Sequence, residues 1–354
     1  MPSWLTYLVQ RLVIAPLLIA LTVLAWTTLP LWLLAAGILS PLAPGWLRPV
    51  RLLWLLVVHL TLESIGLVEM FGLWIASGFG LLIRRPFFER IHYDLFTAYL
   101  VVFAGEARRV LRLQIETAGK SPDAFPGEPL LVFCRHAGPG DSLMLMYSLM
   151  HWYHREPRVV VKETLKWDPA IGVLLTRLPS RFVSGFGTPK SGRDPEAEIG
   201  ELARNLDEND AFVIFPEGGN FTPERRDRAI RRLHSLGLTK MAQRAERMIH
   251  VLAPRPGGVL AALEAAPEAD VLLVAHTGLD HVLTLADIWH SLPMDKRLVM
   301  GWWRVPREEI PEGREERIDW LFTRWEQIDD WIGEHRPTDL PPGRFQAVLR
   351  STPS

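Results

Sequence analysis

The chain has 354 residues, enough for one large domain or two smaller ones. Its 39 basic and 40 acidic residues leave a formal charge of −1, so the overall balance offers nothing to a nucleic acid. Cys134 is the single cysteine, which excludes internal disulfides and clustered-cysteine metal sites.

Charge is spread unevenly along the chain. Only five charged side chains fall in residues 1–83: Arg11, Arg48, Arg51, Glu63 and Glu69. An apolar module, residues 1–86, therefore precedes a soluble-type module, residues 87–335. The proline-rich stretch 336–354 reads as a loosely ordered tail.

Leu12 to Leu39 contains no ionisable side chain, and a helix needs about 20 apolar residues to cross a bilayer core. The run is too long for the roughly 7–15 apolar residues of a cleaved signal peptide. Pro16 and Pro30 predict a helix start and a kink. Leu52 to Ile83 forms a second run, interrupted by His59, Glu63 and Glu69. A carboxylate at mid-bilayer costs about 2.5–3.5 kcal/mol, so both glutamates must face protein, water or headgroups. A shallow or tilted helix, with no catalytic role for them, meets that demand. Pro41, Pro44, Gly45 and Pro49 make a tight connection, with Trp46 and Trp54 suited to a headgroup interface. Arg11, Arg84, Arg85 and Arg90 at the outer ends outnumber Arg48 and Arg51 in the loop, which favours a cytoplasmic catalytic module. A spanning hairpin and a re-entrant one both fit, and either makes the protein membrane-integral.

Phe87–Leu111 reads as an amphipathic helix on the membrane surface or the domain's flank. Short apolar runs at 130–134, 159–161, 181–183, 211–215, 271–275 and 298–305 predict strands. Helical patterns at 142–154, 169–178, 195–209, 257–266 and 315–333 separate or follow them. The alternation predicts an α/β fold with a mostly parallel central sheet and flanking helices.

The first motif, Arg135-His136-Ala137-Gly138-Pro139-Gly140-Asp141-Ser142, follows an apolar strand and opens a helix. The glycine and proline loop would fold Asp141 toward the imidazole. A carboxylate on one ring nitrogen leaves the other free to take a proton from an alcohol. His290 and Asp295 repeat the same spacing. Context separates the two, because only His136 precedes Phe215-Pro216-Glu217-Gly218-Gly219-Asn220 at a second strand end.

With these blocks the chain resembles the lysophosphatidic acid acyltransferase family, which pairs Asn-His-x-x-x-x-Asp with Phe-Pro-Glu-Gly-Thr-Arg-Ser at two strand ends. Lys162-Glu163-Thr164-Leu165-Lys166-Trp167-Asp168-Pro169 and Leu252-Ala253-Pro254-Arg255 resemble two further family blocks. The resemblance implies a fatty acyl transfer from an acyl-coenzyme A or acyl carrier protein thioester to a lysophospholipid hydroxyl. Lysophosphatidic acid leads the candidate acceptors, followed by a glycolipid, an amino lipid or another lysophospholipid; a non-catalytic lipid-binding relative is the other class. His136 would be the base, with Asp141 orienting it. Glu217, Gly218, Asn220, Arg135, Lys162, Arg225, Arg226 and Pro254 would line the substrate site. Coenzyme A enters only as part of a substrate, so no cofactor or metal is expected. The partners expected are membrane lipids and the two substrates. Backbone amides at 138–140 or 218–219 would receive the oxyanion.

Three departures bear on the acceptor. Arg135 replaces the family's asparagine, Gly219-Asn220 replaces Thr-Arg, and Phe182-Val183-Ser184-Gly185 has no arginine at the position where another family block carries one. A guanidinium is the preferred two-pronged partner of phosphate, so two lost arginines weaken a phosphomonoester site. No Gly-x-Ser-x-Gly elbow occurs, which argues against a serine hydrolase. His151 and His154 share a helix face without an evident third metal ligand.

Overall fold

The computed structural model describes residues 7–42, 47–119, 127–183, 194–280, 285–291 and 296–336. The side chains of Pro139 and Asp141 and the tail from residue 337 lie outside the described set, as do Pro44, Gly45 and Trp46.

A π-helical turn, Gln10–Ile14, leads into α1 (Ala15–Leu39), with Pro16 in its first turn and Pro30 inside. α2 (Arg48–Ala76) returns alongside it, and α3 (Pro86–Leu111) follows. Both α1 with its leading turn and α2 are long and apolar enough to cross a membrane. Within α1 only Thr22, Leu29 and Ala36 are buried, one per heptad, which is the narrow seam of a helix packed along a single line. Thr22 Oγ1 and Ser64 Oγ lie 2.7 Å apart across that seam, and Trp26 donates to Thr61 at 2.8 Å. The rest of α1 presents leucines and tryptophans outward.

α2 is buried at intervals from Arg48 to Met70, because its other side lies against α3 and the domain. Trp54 donates to Glu106 of α3 at 2.8 Å, and Arg51 donates to the Val110 carbonyl. The two glutamates diverge as burial cost requires: Glu69 is exposed, while Glu63 is buried against protein.

Beyond α3 come β1 (Gln114–Ala118), β2 (Leu130–Cys134), α4 (Pro139–Tyr147), β3 (Glu156–Lys162), a 3₁₀ turn (Glu163–Trp167), α5 (Ile171–Leu175) and β4 (Ser180–Val183). α6 (Pro195–Leu202), β5 (Asp210–Ile214), α7 (Pro223–Ser235), α8 (Thr239–Arg247), α9 (Pro256–Ala265) and β6 (Asp270–Thr277) follow. α10 (Leu285–Ser291), β7 (Arg297–Val305) and α11 (Arg314–His335) come last. The seven strands form one sheet in the order β1-β7-β6-β2-β5-β3-β4. Every pairing is parallel except β6 with β7.

β2, β5 and β6 are buried at every residue, as parallel strands covered on both faces must be. Their side chains alternate between two cores. Leu130, Val132 and Cys134 join the core beneath α3, α4 and the hairpin, while Leu131 and Phe133 join the one beneath α6, α9 and α11.

Candidate active site

Strand register brings the two motifs together. β2 and β5 are parallel neighbours with Phe133 opposite Ile214, and that offset carried past the strand ends sets His136 beside Glu217. The His136 amide donates to Glu217 Oε1 at 3.0 Å, and the Phe221 amide donates to the His136 carbonyl at 2.9 Å. The imidazole packs on Phe215 with ring centroids 4.6 Å apart. Carboxyl ends of parallel strands are where α/β sheets collect their ligands.

The alternation along β2 also decides which way each motif residue points. Arg135 continues the Leu131–Phe133 side and His136 the opposite one. Arg135 is 1% exposed; Nη1 donates to the His276 carbonyl at 2.7 Å, Nη2 to the His250 carbonyl at 3.0 Å, and the guanidinium pairs with Asp280. The expectation of Arg135 as a substrate ligand is therefore corrected: it is a buried brace beneath the site.

Glu217 is also buried, and its two oxygens accept from the amides of His136 and Leu252, the latter at 3.0 Å. It was expected to hold the acceptor; the geometry makes it the clamp that sets His136. Burial pushes its pKa up to about 7, against the opposing pull of Arg135 and the two amides. The proline block supports the same turn. The Arg255 amide donates to the Pro216 carbonyl at 2.9 Å, and Pro254 is buried between Leu252 and Arg255 rather than presented to an open surface.

Gly218 adopts φ +68°, a conformation that favours glycine, and a Cβ there would lie 3.1 Å from the Arg255 guanidinium carbon. At Gly219 a Cβ would lie 3.2 Å from Arg225 Nη1. Arg225 Nη1 donates to the Asn220 carbonyl at 3.0 Å, and the Arg225 amide donates to Thr222 Oγ1 at the head of α7. Arg225 thus folds back over the turn that Asn220 occupies. Arg226 points away, donating to the Met248 and Glu246 carbonyls at 2.6 and 2.7 Å, so its expected substrate role gives way to one of joining α7 to α8.

Lys162 is exposed at the carboxyl end of β3, the neighbour of β5. Burial, then the charges of Lys162, His276, Arg135 and Arg225, hold the His136 pKa down to about 3. Lys162 itself is held below the usual lysine range by desolvation and by Arg225. The imidazole is thereby kept neutral, and the cations around it would attract an anion, whose charge would restore its basicity. His136 Nδ1 is buried without a hydrogen-bond partner among the described residues. Asp141 lies in the first turn of α4, and the expectation for its carboxylate lies outside the described residues. Of the proposed oxyanion donors, the Gly218 amide is already engaged by the Phe215 carbonyl at 3.0 Å. The second histidine, His290, is exposed on α10.

The acyltransferase family matches residues 112–254, from the end of α3 to the proline block. Over this stretch the chain is similar to that family. An uncharacterized acyltransferase of Schizosaccharomyces pombe is 25% identical over 203 residues, covering 54% of this chain and 55% of the relative. Lysocardiolipin acyltransferase 1 of Mus musculus is 23% identical over 222 residues, covering 59% of this chain and 54% of the relative. The chain thus spans about half the length of the curated relatives it matches. Among solved structures, the 1-acyl-sn-glycerophosphate acyltransferase PlsC from Thermotoga maritima is similar at 14% identity and a TM-score of 0.48, covering 82% of this chain and 100% of that one. The matched acyltransferase region holds His136, Lys162, Glu217, Asn220 and Arg225, and ends on Pro254. Arg255, one residue beyond, has no role that the proline block itself announces; the missing side chain at Gly218 is the sequence signal of its place.

Proposed function

We propose that the protein transfers a fatty acyl group from an acyl-coenzyme A or acyl carrier protein thioester to the hydroxyl of a lysophospholipid, lysophosphatidic acid first among them. The observation that carries this reading is His136 at the carboxyl end of β2, set by the β2–β5 register beside Glu217, which accepts its amide at 3.0 Å. The imidazole takes the proton of the acceptor hydroxyl, and the oxygen attacks the thioester carbon. The carbon–sulfur bond then breaks, and the departing thiolate takes the proton back from the imidazolium. Asp141 supports the imidazolium charge. Backbone amides at the start of α4 or at Gly219 receive the oxyanion, since the Gly218 amide is engaged.

Lys162 and Arg225 are the cations for the acceptor's phosphate. An anion bound there offsets the charges that depress His136, so acceptor binding raises the basicity of the base that will act on it. Arg225→Ala is expected to raise the acceptor KM about tenfold, the loss of one charge-assisted hydrogen bond, with a smaller change in kcat. Steady-state kinetics on lysophosphatidic acid and on a phosphodiester lysolipid check it; an unchanged KM on both removes Arg225 from the headgroup site. Because Arg225 already covers the Asn220 carbonyl, a second guanidinium introduced by Asn220→Arg would crowd it rather than restore the family's arginine.

The outward apolar surface of α1 anchors the protein in the membrane, with the catalytic domain on the cytoplasmic side. The full-length protein is expected to stay in the membrane fraction through a high-salt wash, since apolar burial is insensitive to screening. Recovery in the soluble fraction without detergent would overturn the anchor. The test of function itself is thiol release and lipid product formation by the purified protein, with acyl-coenzyme A and acyl carrier protein donors against a panel of lysolipids. No transfer to any lysophospholipid would refute the reading.

A further inference from the structure

Glu63 stands within the apolar helix α2, yet is 1% exposed. Its Oε2 accepts the Ala170 amide at 3.0 Å, with Asp168 and Tyr99 beside the carboxylate. Gln10, also 1% exposed, donates from Nε2 to the Asp168 carbonyl at 2.7 Å. A Cβ at position 172 would lie 2.6 Å from Gln10 Nε2 and 2.8 Å from the Lys166 carbonyl, so this amide enters only because Gly172 has no side chain. Further along, Arg177 Nη1 donates to the Met70 carbonyl of α2 at 2.8 Å. The apolar hairpin thus grips residues 168–177 from Gln10, Glu63 and Met70.

That gripped stretch continues directly from the 3₁₀ turn Glu163–Trp167, whose N-cap is Lys162. Carried past the strand ends, the β3–β5 and β5–β2 registers set Lys162 level with Pro216 and Arg135, next to His136, and its charge acts on the imidazole. A buried carboxylate and a buried amide cost more than the leucines that fill the rest of the hairpin, so anchoring alone does not account for them. We infer that Glu63 and Gln10 are positioning residues that hold Lys162 in reach of His136, which makes the hairpin part of the active site as well as its anchor. The inference rests on the acyl-transfer reading for its kinetic arm only.

The experiment uses the full-length protein in detergent, with lysophosphatidic acid and acyl-coenzyme A. Glu63→Ala is expected to lower kcat/KM roughly tenfold or more, mainly through the acceptor KM, as losing Lys162's phosphate contact would. Glu63→Gln keeps an oxygen for the Ala170 amide and is expected to retain most activity. The double variant Glu63→Ala with Lys162→Ala is expected to be no worse than Lys162→Ala alone, because both remove one interaction. Multiplied losses, or Glu63→Gln as impaired as Glu63→Ala, overturn the inference. Gln10→Ala in the same cycle decides the matter if Glu63→Ala does not fold. Hydrogen exchange across 163–172 reads the grip without turnover: faster exchange in Glu63→Ala and not in Glu63→Gln supports it, and unchanged exchange overturns it whether or not the wild type transfers acyl groups.

Discussion

His136→Ala is expected to lower acyl transfer by roughly 10²–10⁴, the usual worth of a positioned general base, while His290→Ala leaves it unchanged. Both histidines begin the same His-x-x-x-x-Asp spacing, so spacing alone does not separate them. Their surroundings do. His136 leaves the end of a fully buried parallel strand, its amide is held by Glu217, and its ring lies within the fields of Lys162 and Arg225. His290 is exposed on the short helix α10. The alanine variant removes the ring without disturbing the backbone amide that Glu217 accepts, so its thermal midpoint should stay close to that of the wild type. Acyl transfer measured in detergent for both variants is the check, and comparable losses would remove His136 from its role.

Much of this site was legible because the strands that build it are buried on both faces. Leu-Leu-Val-Phe-Cys and Ala-Phe-Val-Ile read as continuous apolar runs, and the motifs at their ends fall beside each other once the strands pair in parallel. The elements that escaped notice lack such a signature. β1 is the polar edge segment Gln-Ile-Glu-Thr-Ala, and α7 buries none of its residues, so neither carries an apolar stripe to read. The directions of Arg135 and Arg226 are hidden in the sequence for another reason. A cation near a motif looks like a ligand until strand alternation or a carbonyl partner shows where it points. Glu63 looks in sequence like a passenger of a tilted helix because its partner, the Ala170 amide, lies in a segment 107 residues away.

Glu217 yields the second large effect, through the arithmetic of donors and acceptors. Two backbone amides point at its carboxylate, and only the ionised form accepts from both without presenting a donor of its own. Glu217→Gln conserves shape but turns an NH₂ toward one of those amides, leaving it unsatisfied at a cost of about 1–3 kcal/mol. Loosening of the His136 segment should then lower kcat about tenfold or more, since small displacements at a reacting centre are amplified. Protonation does the same thing without mutation. With a pKa of about 7, Glu217 takes up a proton as pH falls through that value. The wild type should therefore lose activity on an acid limb near 7, far above the value of about 3 at which His136 would itself be protonated. The stability of the fold runs the other way. The folded-state pKa is raised above the ordinary 4.5, so the contribution of this group is complete below that value and is lost as pH rises through about 7, on the order of 3 kcal/mol in all. Between pH 5 and 8 the wild type should gain activity while Glu217 withdraws stability. Glu217→Gln, which cannot ionise, should show neither change, and its rate at pH 8 should resemble that of the wild type at pH 5.5. Rate profiles and thermal midpoints of the two proteins across that range are the measurement, and an acid limb that persists unchanged in Glu217→Gln would assign it to a different group.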